Sequence, residues 1–243
     1  MADLSPSIIF IAALAIFLFV LYLVFYLSKR SKKALASFVQ SRGLIILPDD
    51  AGAELESKLV QKLGVPSGGR YKDIVQLPLS VGEAYFYTQQ PQPQRSSSSS
   101  STSGNAHHFI TVFMDLSASG RTFVAPRVPI GGELGKKMVE FILKRVFDAR
   151  DITILDIKEA FPDFAKTYNV FTEDEEGAKR IILSPGVISC LMTYPGKNPV
   201  NIAFSPSGFG IDIQPIMKKP EEMDRYTVWA ENLARVLKDV EKY

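Results

Sequence analysis

The sequence predicts an α+β protein: a single N-terminal transmembrane helix followed by one soluble domain with antiparallel hairpins and several helices. Three observations carry that prediction. Residues Ile8 to Leu27 form an uncharged apolar run without Gly or Pro. Stretches rich in β-branched and aromatic residues flank turn signals, most clearly at Ser205-Pro206-Ser207-Gly208. Helical periodicities lie among them without a repeated strand–helix–strand alternation, which favours α+β over a doubly wound sheet.

The apolar run is 20 residues long, and 15 of them are Ile, Leu, Phe or Val. At 1.5 Å per residue such a helix covers roughly 30 Å, the thickness of the hydrocarbon core of a bilayer. A soluble core rarely buries a helix on every face, so the run predicts a membrane span. Asp3 is the only side-chain charge before it, whereas Lys29, Arg30, Lys32 and Lys33 follow at once. Basic flanks stay cytoplasmic, which predicts a single-pass cell-membrane protein with its N-terminus outside and its C-terminal domain in the cytoplasm. A cleaved signal peptide would carry its basic residues on the other side of the apolar run. The four cations are the expected lipid-contact residues, and the bilayer is the first expected partner.

The charge distribution narrows the function class. The chain is +2 overall; residues 1–27 carry −1 and residues 28–42 carry +5, which leaves −2 for residues 43–243. A near-neutral domain argues against a nucleic-acid surface. The organisation predicted is a short tail (1–7), the span (8–27), a basic juxtamembrane helix (28–42) and a domain (43–243) with a disordered insert at 91–105. That insert reads PQPQRSSSSSSTSGN and has no apolar residue to offset its ordering entropy. The strands expected on either side, Glu83–Gln90 and His108–Leu116, read as a hairpin with a lengthened loop, because lengthening a loop costs little.

Within the domain, Leu35, Phe38 and Val39 recur at helical spacing before Gly43. Leu44–Leu47 reads as a short strand. Ala51–Leu63 reads as a helix capped by Asp49 or Asp50, with Leu55, Leu59 and Leu63 on one face. Tyr71–Leu77 and Arg121–Val128 read as extended segments. Gly131-Gly132 precedes a helix to about Asp148, with Leu134, Met138, Phe141, Ile142 and Val146 as its buried face. Asp151–Ile157 and Lys166–Thr172 read as strands, with Thr172 as cap of a helix over 173–183. Ser184-Pro185 opens another helix. The hairpin around Ser205-Pro206-Ser207-Gly208 follows. The last helix, from Glu221, carries Tyr226, Trp229, Leu233, Val236, Leu237 and Val240 as one apolar stripe.

Catalytic and metal-binding patterns fail on inspection. His107 and His108 are the only histidines, and adjacent strand residues face opposite sides. With a single Cys190 no zinc pattern exists. Gly131-Gly132-Glu133-Leu134-Gly135-Lys136-Lys137 has Ile130 where a phosphate loop needs its first Gly, and Lys137 where it needs Ser or Thr. Gly208-Phe209-Gly210 sits in a hairpin and is no dinucleotide fingerprint. Cys190 is flanked by Ile188, Leu191 and Met192, a setting for an inert thiol. Glu173-Asp174-Glu175-Glu176 lacks the alternating acids of a calcium loop and suits the first turn of a helix. No catalytic residue, cofactor or metal is expected.

From about residue 64 to the end, the order of elements resembles a family of uncharacterised bacterial membrane-anchored proteins whose cytoplasmic part is a domain of unknown function. The likeness lies in Tyr85-Phe86-Tyr87, Phe109-Ile110-Thr111-Val112, Phe161-Pro162-Asp163-Phe164 with Tyr168-Asn169-Val170, Leu183-Ser184-Pro185, the Gly-containing hairpin and the terminal helix. The resemblance implies an anchored bacterial domain and lends no catalytic residues. The function expected is a membrane-tethered, non-enzymatic module that binds a protein partner or supports assembly of a membrane complex. The alternative is an enzyme or small-ligand binder whose site is scattered over distant loops.

Overall fold

The computed structural model describes residues 6–48, 50–65, 69–91, 107–127, 152–197, 199–213 and 217–241. The expected tail up to residue 5, nearly all of the insert at 91–105 and the helix expected after Gly131-Gly132 to about residue 148 lie outside the described residues.

The α+β class holds, and its frame is one eight-stranded antiparallel sheet. The strands are β1 (Gly69–Leu77), β2 (Glu83–Pro91), β3 (His107–Phe113), β4 (Thr122–Pro126), β5 (Thr153–Ile154), β6 (Tyr168–Thr172), β7 (Asn201–Ser205) and β8 (Gly208–Ile213). Their order across the sheet is β1-β2-β3-β8-β7-β4-β6-β5. The insert does join a hairpin: Gln89 pairs with His107 and Glu83 with Phe113. The Pro206-Ser207 turn closes the second hairpin expected, with Ser205 opposite Gly208.

Hairpins do not describe the other half of the sheet. β4 and β5 both pair with β6, so they run parallel on either side of it. β6 and β7 flank β4 in the same way. The order β7-β4-β6-β5 is the interleaved arrangement of a split β-α-β unit. Among the described residues the helices Glu175–Ile181 and Pro185–Met192 join the parallel strands β6 and β7 across β4, a single crossover rather than the repeated alternation of a doubly wound sheet. β5 and β6 fall within the strands expected at 151–157 and 166–172; their place in the sheet is set by pairings far apart in sequence, which no local pattern records.

The helices are α1 (Pro6–Arg42), α2 (Ala51–Lys58, winding on as a π-helical turn over Leu59–Leu63), α3 (Pro162–Thr167), α4 (Glu175–Ile181), α5 (Pro185–Met192) and α6 (Pro220–Val240). The two segments expected at 8–27 and 28–42 form one continuous helix of 37 residues, about 55 Å long. Gly43 ends it at φ +62°, as its lack of a Cβ allows. Leu44–Leu47 contributes only the bridge Ile46–Val75 rather than a strand. The cap of α4 is Asp174, whose carboxylate accepts from Gly177 N–H at 2.9 Å, and not Thr172. Thr172 instead ends β6, its hydroxyl 2.9 Å from that of Thr122. Ser184 caps α5 as its sequence indicates, with Pro185 at the first turn. The helical turn α3 (Pro162–Thr167) takes Lys166 and Thr167, expected as the start of a strand, so that β6 begins only at Tyr168.

The two faces of the sheet bury different amounts. On one lie Val75, Phe86, Ile110, Val112, Ile211, Ile202, Val124 and Val170, covered by the C-terminal third of α1 and by α4, α5 and α6. On the other, α2 brings Leu55, Leu59 and Leu63 over Tyr71, Tyr85, Tyr87 and Phe113. The stripe of α6 is buried as expected, and its docking partner includes α5 as well as the sheet. Trp229 is 6% exposed and donates its indole N–H to the Cys190 carbonyl at 2.9 Å.

Candidate functional site

The expected lipid-contact residues stand on α1 where the helix leaves the domain. Lys29, Arg30, Lys32 and Lys33 are all exposed. At 3.6 residues per turn they occupy an arc of about 160°, opposite the side on which Ala34, Leu35 and Phe38 are buried. The helix thus has one side in the domain core and the other lined with cations. Ser31 Oγ donates to the Met217 carbonyl at 3.2 Å, and Arg42 pairs with Asp224 at 2.5 Å. Phe38, 1% exposed, packs against Phe86 with ring centroids 6.4 Å apart.

Towards the N-terminus the same helix presents apolar residues without cover from the domain. Leu14, Ile16, Phe17, Leu18, Phe19, Val20, Leu21, Tyr22 and Tyr26 are each at least 40% exposed. The side chains of residues 6–13, 23–25, 27 and 28 lie outside the described set, so the expected span falls only partly within it. Among the described residues no helix is long and apolar enough to cross a membrane.

The two histidines face opposite sides of β3. His107 hydrogen-bonds Asp212 through Nδ1 at 3.1 Å. His108 is buried against Phe86, and its Nδ1 accepts the Met217 N–H at 3.2 Å. Burial, with a smaller contribution from the neighbouring His107, pushes its pKa down to about 4 from 6.5. The sign follows from linkage: the unfolded chain takes up this proton below 6.5 and the folded one only near 4. Stability from this group is full above pH 6.5 and is lost as pH falls towards 4, by about 3 kcal/mol in all. Denaturant melts at stepped pH should show this loss for the native chain, and a His108→Leu variant should show a flatter profile.

Two further groups of reactive type are shifted away from their nucleophilic forms. Burial raises the Cys190 thiol to about 11, so little thiolate forms at neutral pH. Lys58 donates to Glu83 at 2.8 Å and to Tyr85 at 3.2 Å, and pairs with Glu54 at 3.1 Å. The Glu83 carboxylate, ahead of the others, holds the ammonium well above the ordinary lysine range and so favours the charged, non-nucleophilic form. Among the described residues no group of three or more His, Cys, Asp or Glu side chains could hold a metal ion.

One cavity of about 300 Å³ opens where β4, β5 and β6 meet α3, lined by Arg127, Asp156, Lys158, Tyr168 and Asn169 with apolar neighbours such as Ile157. Arg127 Nη1 donates to the Ala165 carbonyl at 2.6 Å. Sequence reading named Tyr168 and Asn169 only among the residues of the family resemblance and gave them no site, because Arg127 meets them only through the pairing of β4 with β6.

Comparison with known proteins adds a fold likeness. No protein-family model matches the chain, and no curated protein matches it. A solved structure similar to it is the mycobacterial trehalose monomycolate transport factor A, TtfA, at a TM-score of 0.52 and 10% identity. The match covers 86% of this chain and 94% of that one. At this identity the likeness concerns the fold alone.

Proposed function

We propose that the chain is a membrane-tethered, non-enzymatic module whose domain lies on the cytoplasmic side and binds a protein partner or supports assembly of a membrane complex. One observation carries the reading: α1 is a single helix whose described apolar side chains, Leu14, Ile16–Tyr22 and Tyr26, are exposed, while its C-terminal end is part of the core. A bilayer around residues 8–27 is the cover such a helix needs. The cations Lys29, Arg30, Lys32 and Lys33 support the inward placement of the domain. The raised Cys190 and Lys58 support a role other than catalysis. A small-ligand reading has one observation in its favour, the cavity at Arg127 and Lys158.

The test has two parts. A reporter active only outside the cytoplasm, fused after Tyr243, should be silent; activity would invert the topology. Affinity purification of the full chain from solubilised membranes should return a stoichiometric protein partner. Recovery of the chain alone, together with saturable uptake of a small anion lost in Arg127→Gln, would move the assignment to the ligand reading.

A further inference from the structure

The sheet has two unlike ends, and α1 fixes which of them meets the membrane. One end gathers the start of β1, the end of β2, the start of β3 and the end of β8. Ser31 is bonded to Met217, and Met217 to His108 at the start of β3, so α1 enters the domain there. From that point α1 runs inward: Phe38 meets Phe86 in mid-strand, and Ile46, just past the helix, bridges Val75 near the other end of β1. Ser31 follows Leu27 by four residues, about 6 Å of helix. The headgroup zone is roughly 5 to 7 Å deep on each side of the hydrocarbon. The end of the sheet beside Ser31 therefore lies at the headgroups of any bilayer that holds residues 8–27.

That end carries cations of its own. Lys218 and Lys219 follow Met217 directly. Lys72 lies opposite Thr88, which lies opposite His108, and Arg70 lies two residues before Lys72, so both stand on the α1 side of the sheet. Arg70, Lys72 and Lys219 are exposed and Lys218 is half-buried. Among the described residues none of these four, nor Lys29, Arg30, Lys32 or Lys33, stands in an ion pair. Acids lie at this end as well: Asp73, Glu221 and Glu222 are close to these cations in sequence, Asp212 near the end of β8 bonds His107, and Glu56 acts on Tyr71 at the start of β1. The opposite end of the domain differs: there Lys58 pairs with Glu83, Arg121 with Glu173 and Lys179 with Glu175.

We infer that Arg70, Lys72, Lys218 and Lys219 form, with Lys29, Arg30, Lys32 and Lys33, one surface that docks the domain on anionic lipid headgroups. The inference rests on the membrane-tethered reading and adds to it a fixed orientation: the α1 entry end of the sheet is pressed to the bilayer and the Arg121–Glu173 end points away. Each Lys or Arg near an anionic surface contributes around 1 kcal/mol, an attraction that salt screens.

The full chain would be reconstituted in vesicles of phosphatidylcholine alone or with phosphatidylglycerol, in a Cys190→Ser background carrying a fluorophore at Gln90→Cys or at Ser119→Cys. A headgroup-bound quencher should quench the Gln90 label strongly in the anionic vesicles and the Ser119 label weakly. The difference should shrink in neutral vesicles and at high salt. The quadruple variant Arg70→Gln, Lys72→Gln, Lys218→Gln, Lys219→Gln should bring the Gln90 signal down to its neutral-vesicle level while still floating with lipid. Equal quenching at both positions, or a quadruple variant indistinguishable from the parent in anionic vesicles, would overturn the inference. A chain that fails to float with lipid would instead overturn the tethered reading beneath it.

Discussion

Replacing Trp229 by alanine is expected to lower the stability of the folded chain by about 3 to 5 kcal/mol, the range for truncating a buried aromatic side chain. The indole is 6% exposed and meets the Tyr194 ring edge-on, with centroids 5.0 Å apart. Its N–H donates to the Cys190 carbonyl of α5, so the substitution also removes a bond between the two helices. Leu233, Ala234 and Leu237 continue the same buried face. Trp229 is the only Trp, so the emission of the native protein should be blue-shifted and should move to the red on unfolding. Denaturant melts of the detergent-solubilised chain followed by circular dichroism measure the loss in the variant. A variant within 1 kcal/mol of the parent, together with red-shifted native emission, would return Trp229 to the role of a partner anchor.

Gly208→Ala should be as damaging, through the backbone. Gly208 has φ +136°, a region open to glycine and costly for other residues. A Cβ there would lie 2.0 Å from the Val112 carbonyl oxygen and 3.0 Å from the Phe113 Cα. Neither atom belongs to a flexible side chain, so β8 would have to part from β3 at the centre of the sheet. Strain and overpacking together put the loss at roughly 3 to 5 kcal/mol, a large share of the total stability of a domain. Gly210→Ala is the control, since its Cβ would meet Thr111 Oγ1 at 3.6 Å and Leu63 Cδ1 at 3.8 Å, both ordinary contacts. The same melts should place Gly210→Ala close to the parent. Equal losses at both positions would show that strand glycines in general, rather than the β3 approach, set the effect.

These residues show where the sequence is legible. The stripe of α6 and the Leu55–Leu59–Leu63 face could be read because helix spacing records which side is buried. The Pro206-Ser207 hairpin could be read because its turn chemistry is local. The order β7-β4-β6-β5 could not: the segments holding β5 and β6 read as strands, but strand order is decided by contacts far apart in sequence. The same limit hid the charged surface. Lys29–Lys33 is a run and stands out, whereas Arg70, Lys72 and Lys218-Lys219 are ordinary surface cations until register and the Ser31–Met217 bond place them beside it. The Lys218-Lys219 doublet just before Pro220 was the one signal available in advance.

The central claim is that α1 is both a bilayer span and a part of the domain core. Alkaline carbonate extraction of membranes from cells making the full chain tests it most directly. The chain should stay in the membrane pellet and leave it only with detergent, and deletion of residues 8–27 should release it. A full-length chain recovered in the carbonate supernatant would contradict the account.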